Sequence, residues 1–182
     1  MILRILCSFF LSASLLASES DLVRHEKPTG VGNYGVEFID SIEGAGLVKL
    51  QGTSVKDLQM QGSLLSKDAK LGSITILGEA NLRDTIISGE TTITGAVQTH
   101  SSTFEKPVIV CTKKALFTRT KLHSITMRQE PSYKGKQIIE LKQGTTVTGP
   151  IHFESGKGEV HIDPSSRIDG KVTGGKVIRK SS

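Results

Sequence analysis

Residues 58–62 read Leu-Gln-Met-Gln-Gly, residues 74–78 read Ile-Thr-Ile-Leu-Gly, and residues 91–95 read Thr-Thr-Ile-Thr-Gly. Each piece sets two residues on alternate positions and a glycine two residues after the second. The same pair of positions returns as Val108 and Val110, and again as Ile125 and Met127. Successive pairs begin 16, 17, 17 and 17 residues apart, at 58, 74, 91, 108 and 125. A second column runs in step through Leu65, Leu82, Thr99 and Leu116. A third holds Leu71, Ile87 and Phe104, and its next member is Lys121 unless the chain slips one residue to Leu122.

An internal period of this length sets the fold before any local assignment. Helical repeats run longer, to about 33–47 residues. Within each unit the apolar residues alternate, which is the pattern of strands rather than helices. Three short strands per unit, separated by bends, make a triangular coil. Stacked coils pair as parallel strands about 4.8 Å apart, each burying its inward side chains against its neighbours. Glycine suits a bend that needs a positive φ. The expected fold is therefore all-β, a single-stranded parallel β-helix with about 17 residues per coil.

The period changes toward the C-terminus. Val147-Thr-Gly149-Pro-Ile151 is echoed 21 residues later by Ile168-Asp-Gly170-Lys-Val172. Residues 128–136 (RQEPSYKGK) interrupt the period and carry Pro131 and Gly135. They read as a protruding loop or as the turn of a hairpin between Ile125–Met127 and Ile138–Leu141. Residues 1–20 carry Arg4, an apolar run over Ile5–Ala17 and small residues from Ala17 to Ser20. That is a secretory signal peptide, its apolar run too short for a full bilayer span. Residues 21–46 lack the apolar columns. They divide into a leader around His25–Gly30 and an N-terminal cap around Val36–Ile39, because an open solenoid end needs covering. The solenoid domain is then expected over 47–178, with a polar tail at 179–182.

The Val-x-Gly-x-Ile and Ile-x-Gly-x-Val pieces, on coils near 17 residues, resemble the bactofilin or polymer-forming class of parallel β-helix over roughly 47–177. The resemblance implies a non-enzymatic rigid rod that polymerises end to end without nucleotide. The signal peptide and the irregular coils point instead to an exported monomer or small oligomer, periplasmic or secreted.

Composition bounds the function. Of 182 residues, 4% are aromatic and none is Trp, which leaves few platforms for a sugar. Once the signal peptide is cut away, Cys111 is the only cysteine left, so no internal disulfide forms. The formal net charge is +5, and it is uneven. Between Lys113 and Lys136 seven basic residues face one acid, Glu130. Lys113, Lys114, Arg119 and Lys121 are the candidate surface for an anionic partner. For an exported chain that partner is an anionic envelope component or an acidic protein rather than nucleic acid.

Nothing in the sequence forms a nucleophile or phosphate-loop motif, and no cofactor or metal is expected. The function expected is a non-catalytic envelope scaffold or binding surface. The alternative is a glycan-active enzyme, or a secreted adhesin or effector, on the same fold. An enzyme of that kind needs clustered carboxylates. Asp68 and Asp84 fall at the same place in successive coils and are the nearest approach to a cluster, although Ser101 follows them. Cys111 reads as a buried structural thiol. Finally, residues 151–162 are nearly a mirror image about Ser155–Gly158. As a hairpin they bring His152, Glu154, Glu159 and His161 onto one face, with Ile151, Phe153, Val160 and Ile162 on the other. As two strands of one coil they keep the histidines apart.

Overall fold

The computed structural model describes residues 23–129 and 133–179. The signal peptide expected at 1–20 lies outside the described residues. Every described element is a strand, and every strand pair is parallel. The strands wind into a β-solenoid of about 9 turns with roughly 17 residues per coil.

Each full turn has three faces. Face A is short and carries inward Ile39, Val55, Leu71, Ile87, Phe104, Leu122, Val147 and Ile168 in register. The slip to Leu122 is thus how the third column continues. Face B carries the pairs beginning at Leu58, Ile74, Thr91, Val108, Ile125 and Ile151. Face C carries Val48, Leu64, Ala80, Val97, Ala115, Ile139 and Val160, each followed two residues on by a second inward position. On the early turns one strand runs through faces A, B and C without a break, as in Phe38–Gln51, Ser54–Lys67 and Lys70–Arg83. Alternation carries the inward residues into a single core along the axis. Where the coil widens, Phe104 and Phe117 fill it edge to face, with ring centroids 6.4 Å apart.

One expected column is displaced at two of its four members, while Leu82 and Thr99 are register partners that point inward as expected. Leu65 pairs with Asn81, and Leu116 pairs with Gln98, so both point outward. The inward partners are Leu64 and Ser66, paired with Ala80 and Leu82. A constant spacing of 17 misses a step of 16 from Ser66 to Leu82 and a step of 18 from Thr99 to Phe117. In a strand a one-residue slip reverses the face.

The corner between faces B and C is built on glycine. Gly30, Gly46, Gly62, Gly78 and Gly95 stack in register, all with positive φ. The corner between faces C and A uses the left-handed conformation differently. Gly52, Asp68, Asp84, Ser101, Arg119 and Gln143 occupy it on successive turns with φ between 49° and 69°. The position after each is inward: Thr53, Ala69, Thr85, Ser102 and Thr120 are all buried. Behind the double corner Gln143–Gly144, Thr145 takes that place. The hydroxyls bond backbone carbonyls that the corner turns inward. Thr85 donates to the Arg83 carbonyl at 2.9 Å, Ser102 to His100 at 3.0 Å and Thr120 to Thr118 at 2.9 Å. Most buried hydroxyls in proteins are so bonded.

The ladder begins earlier than the apolar columns suggest. His25–Glu26 and Thr29–Tyr34 pair with Phe38–Gln51, so the stretch expected as a leader is the first turn of the stack. Backbone pairing needs no apolar column, and an end turn has solvent on one side. Val36 and Phe38, expected to cap the end, are 91% and 60% exposed. Half-buried Tyr34 packs against the core instead. Arg24 bonds the carboxylates of Glu26 and Glu37 beside it.

Candidate functional site

The regular stack is disturbed in one region, and the unusual side chains gather there. From Val97 to Ala115 the spacing grows to 18, and from Ala115 to Ile139 it is 24. The second insertion is the segment 128–137. Ile125–Met127 pairs with Val108–Cys111 above and Ile151–Phe153 below, while Ile138–Lys142 pairs with Lys114–Thr118 and Gly158–Ile162. The flanking strands belong to different faces and do not pair with each other, so 128–137 joins face B to face C at their corner and is not a hairpin turn. Gln137 closes its base: it is 1% exposed, and its Nε2 donates to the carbonyls of Thr112 at 2.9 Å and Arg128 at 2.7 Å. Tyr133 donates to the Lys136 carbonyl at 3.2 Å, and the Lys113 ammonium lies 5.1 Å from the Tyr133 ring centroid.

The four basic residues picked out from the sequence belong to one turn but not to one spot. Lys113 stands at the B/C corner beside the loop. Lys114 opens the strand Lys114–Thr118 and is paired with Glu140 at 3.1 Å. Arg119 occupies the left-handed corner at the far end of that strand, roughly 16 Å from Lys114 at about 3.3 Å per residue. Lys121 follows it on face A, with buried Thr120 between them. Among the described residues Lys113, Arg119 and Lys121 make no ion pair.

Two carboxylates on the outside of face C are less than a tenth exposed. Glu140 accepts from Lys142 at 2.9 Å and from Lys114 at 3.1 Å. Burial raises the Glu140 carboxyl, but the hydrogen bonds from Lys142 and Lys114 outweigh it and hold the group below its ordinary value. Glu159 accepts from Lys136 at 2.7 Å and from His161 at 3.0 Å, with Lys176 at 3.6 Å. The Lys136 and His161 hydrogen bonds bring its carboxyl down to about 2. Glu140 and His161 are register partners on adjacent turns, so these groups form one charged sheet surface.

The mirror-image hairpin is not what forms. Ile151–Phe153 lies on face B and Gly158–Ile162 on face C of the same coil. Each strand finds better pairing with the turns above and below than with the other. His152 bonds Thr173 Oγ1 at 2.7 Å, and Glu154 accepts from the Gln129 amide at 3.2 Å. Only Glu159 and His161 come together. The expected inward residues Ile151, Phe153, Val160 and Ile162 are all buried. Asp68 and Asp84 occupy equivalent exposed corners, and Lys67 lies 3.9 Å from Asp68. Cys111 is half-buried on the outward row rather than in the core, its Sγ 3.8 Å from the Gln129 carbonyl. No group of three or more His, Cys, Asp or Glu side chains is placed to hold a metal ion among the described residues. No described helix is long and apolar enough to cross a membrane.

The lysine and glutamate network was not read from the sequence. Its signal was present: Glu140 and Glu159 sit among Lys114, Lys136, Lys142 and Lys176, but only the register places them side by side. No family model, curated protein or solved structure matches this chain.

Proposed function

We propose that the chain is an exported, non-catalytic β-solenoid that serves as an envelope scaffold or binding surface, periplasmic or secreted, working as a monomer or small oligomer. In this reading it is a degenerate, exported relative of the polymer-forming β-helices. Its partner is an anionic envelope component or an acidic protein, engaged by Lys113, Lys114, Arg119 and Lys121. The observation that carries the reading is the charge on that turn. Lys113, Arg119 and Lys121 have no acidic partner among the described residues, and the nearby Glu140 is already held between two lysines. A rigid stack fixes such cations around a single turn, where their unpaired charge attracts a polyanion.

The test is co-sedimentation with anionic lipid vesicles or lipopolysaccharide, beside native mass and fractionation of the mature protein. Binding is expected to fall as salt shortens the screening length from about 10 Å at 0.1 M to about 3 Å at 1 M. Replacing Lys113, Lys114, Arg119 and Lys121 together by Gln should abolish it. Binding indifferent to salt and to the fourfold variant would refute the reading.

A further inference from the structure

Below the loop, the last two turns of the B/C corner enclose a cleft of about 440 Å³. Glycines form its floor, and the side chains lining it are those of Lys136, Lys157, Glu159 and Lys176. The floor is bare because Phe153 fills the core behind it. A Cβ on Gly158 would meet the Phe153 ring at 2.1 Å, and one on Gly174 would meet the Phe153 carbonyl oxygen at 2.0 Å. The packing that closes the core thus leaves naked backbone on the outside, with only charged side chains around it.

Those charges do not balance. Lys136 and Lys176 converge on one oxygen of Glu159, at 2.7 Å and 3.6 Å, while His161 holds the other oxygen at 3.0 Å. Lys157, on the turn above the floor, has no ion pair among the described residues. The three lysines and one carboxylate that line the cleft leave two positive charges over. The Gly158 amide donates to the Gly174 carbonyl at 3.0 Å, so the floor supplies room rather than donors, and the lysine walls with their surplus of two charges suit a compact dianion.

We propose that this cleft binds a phosphate monoester, with Lys136, Lys157 and Lys176 as its ligands and the glycine backbone as its floor. The site is separate from the basic turn at 113–121 and stands or falls independently of it. Glu159 is an internal competitor: it holds two of the lysines until the phosphate arrives.

The experiment titrates inorganic phosphate into the mature protein at constant ionic strength, followed by calorimetry and by the amide resonances of Gly158, Gly174 and Gly175. A saturable one-site isotherm with shifts at those amides is expected. Lys157→Gln, an exposed substitution, should weaken it about tenfold, the loss of one charge-assisted contact. Glu159→Gln should tighten it, because the competitor is gone and the surplus rises. Vesicles containing phosphatidic acid, set against phosphatidylcholine vesicles, separate a lipid headgroup from a free phosphate. Capture of the former reversed by phosphate assigns the headgroup, and binding of inorganic phosphate alone assigns a soluble monoester. Absence of a saturable isotherm overturns the proposal. So does phosphate binding that survives Lys157→Gln and Lys176→Gln together yet disappears in the fourfold Gln variant of the basic turn.

Discussion

A methyl group placed on Gly78 would meet the carbonyl oxygen of Gly62 at 2.0 Å. The same contact recurs between Gly95 and Gly78 and between Gly62 and Gly46, so the B/C corner is a column of backbones packed directly on one another. Gly30 stands at the top of that column. It shares the positive φ, at 98°, yet a Cβ there would meet nothing within 4 Å. The pair separates two costs. Gly30→Ala should lose only the backbone strain of a side chain at positive φ, about 1–3 kcal/mol. Gly78→Ala should lose that and the clash as well, and unfold at markedly lower urea. Equal midpoints for the two variants would show that coil-to-coil approach does not set the corner.

The register of face C gives a second test. Leu64 is fully buried, while its neighbour Leu65 is 38% exposed. Leu64→Asp should unfold the protein, as should Ile93→Asp, because each buries a charge with no partner between coils. Leu65→Asp should cost less than about 1 kcal/mol, as surface changes generally do. Circular dichroism and a thermal melt of the three variants read this directly. A folded Ile93→Asp, or an unfolded Leu65→Asp, would contradict the register.

Those two leucines also show how far the sequence could be read. Face B was legible because Leu58, Ile74, Thr91, Val108 and Ile125 pair at the spacings that separate them in the chain. Face C was misread at Leu65 because an apolar side chain stood on the outside, next to a small inward Ala80 on the following turn. Composition cannot tell an exposed Leu from a buried one when both alternate. The first turn was missed for the opposite reason. Its ladder is carried by backbone and by Gly30, not by apolar side chains. The corner hydroxyls Thr53, Thr85, Ser102 and Thr120 keep the coil spacing as faithfully as any apolar column, but polar residues are not looked for inside. The cation-rich cleft was illegible altogether, since Lys136, Lys157 and Lys176 lie on three successive turns.

Acid should loosen the C-terminal turns in a defined window. The Glu159 carboxyl lies at about 2 in the folded chain against an ordinary 4.5. As pH falls the unfolded chain takes up that proton first. The stability Glu159 contributes is therefore complete above about pH 4.5 and is lost as pH drops toward about 2. Glu140 acts in the same direction, its carboxyl being lowered by Lys142 and Lys114 against the effect of burial. Glu159→Gln should be less stable than the parent near neutral pH, and its melting temperature should change less between about pH 5 and pH 2. Parallel pH profiles for the two proteins would mean that the Lys136 and His161 contacts do not persist in solution.

The buried hydroxyls at the C/A corner permit a test in which order matters. Thr99 and Thr120 lie on adjacent turns with their oxygens 2.7 Å apart, and both are buried. Thr120 has one proton and gives it to the Thr118 carbonyl at 2.9 Å, so Thr99 must be the donor between the two. Thr99→Val removes that donor while Thr120 keeps its own bond. It should cost about 0.5–1.5 kcal/mol, the usual net worth of one hydrogen bond. Thr120→Val leaves the Thr99 hydroxyl buried with no acceptor from its partner, and the penalty for a stranded donor is larger, about 1–3 kcal/mol. The Thr118 carbonyl does not add to it, because the Ser101 amide still donates there at 2.9 Å. Adding Thr99→Val to Thr120→Val then removes the stranded group and should cost nothing or restore some stability. The double variant is thus expected to be clearly more stable than the sum of the single losses. Urea denaturation of the four proteins closes the cycle. Additive losses would show that the two hydroxyls do not bond, and the inward face of this corner would then need another account of its threonines.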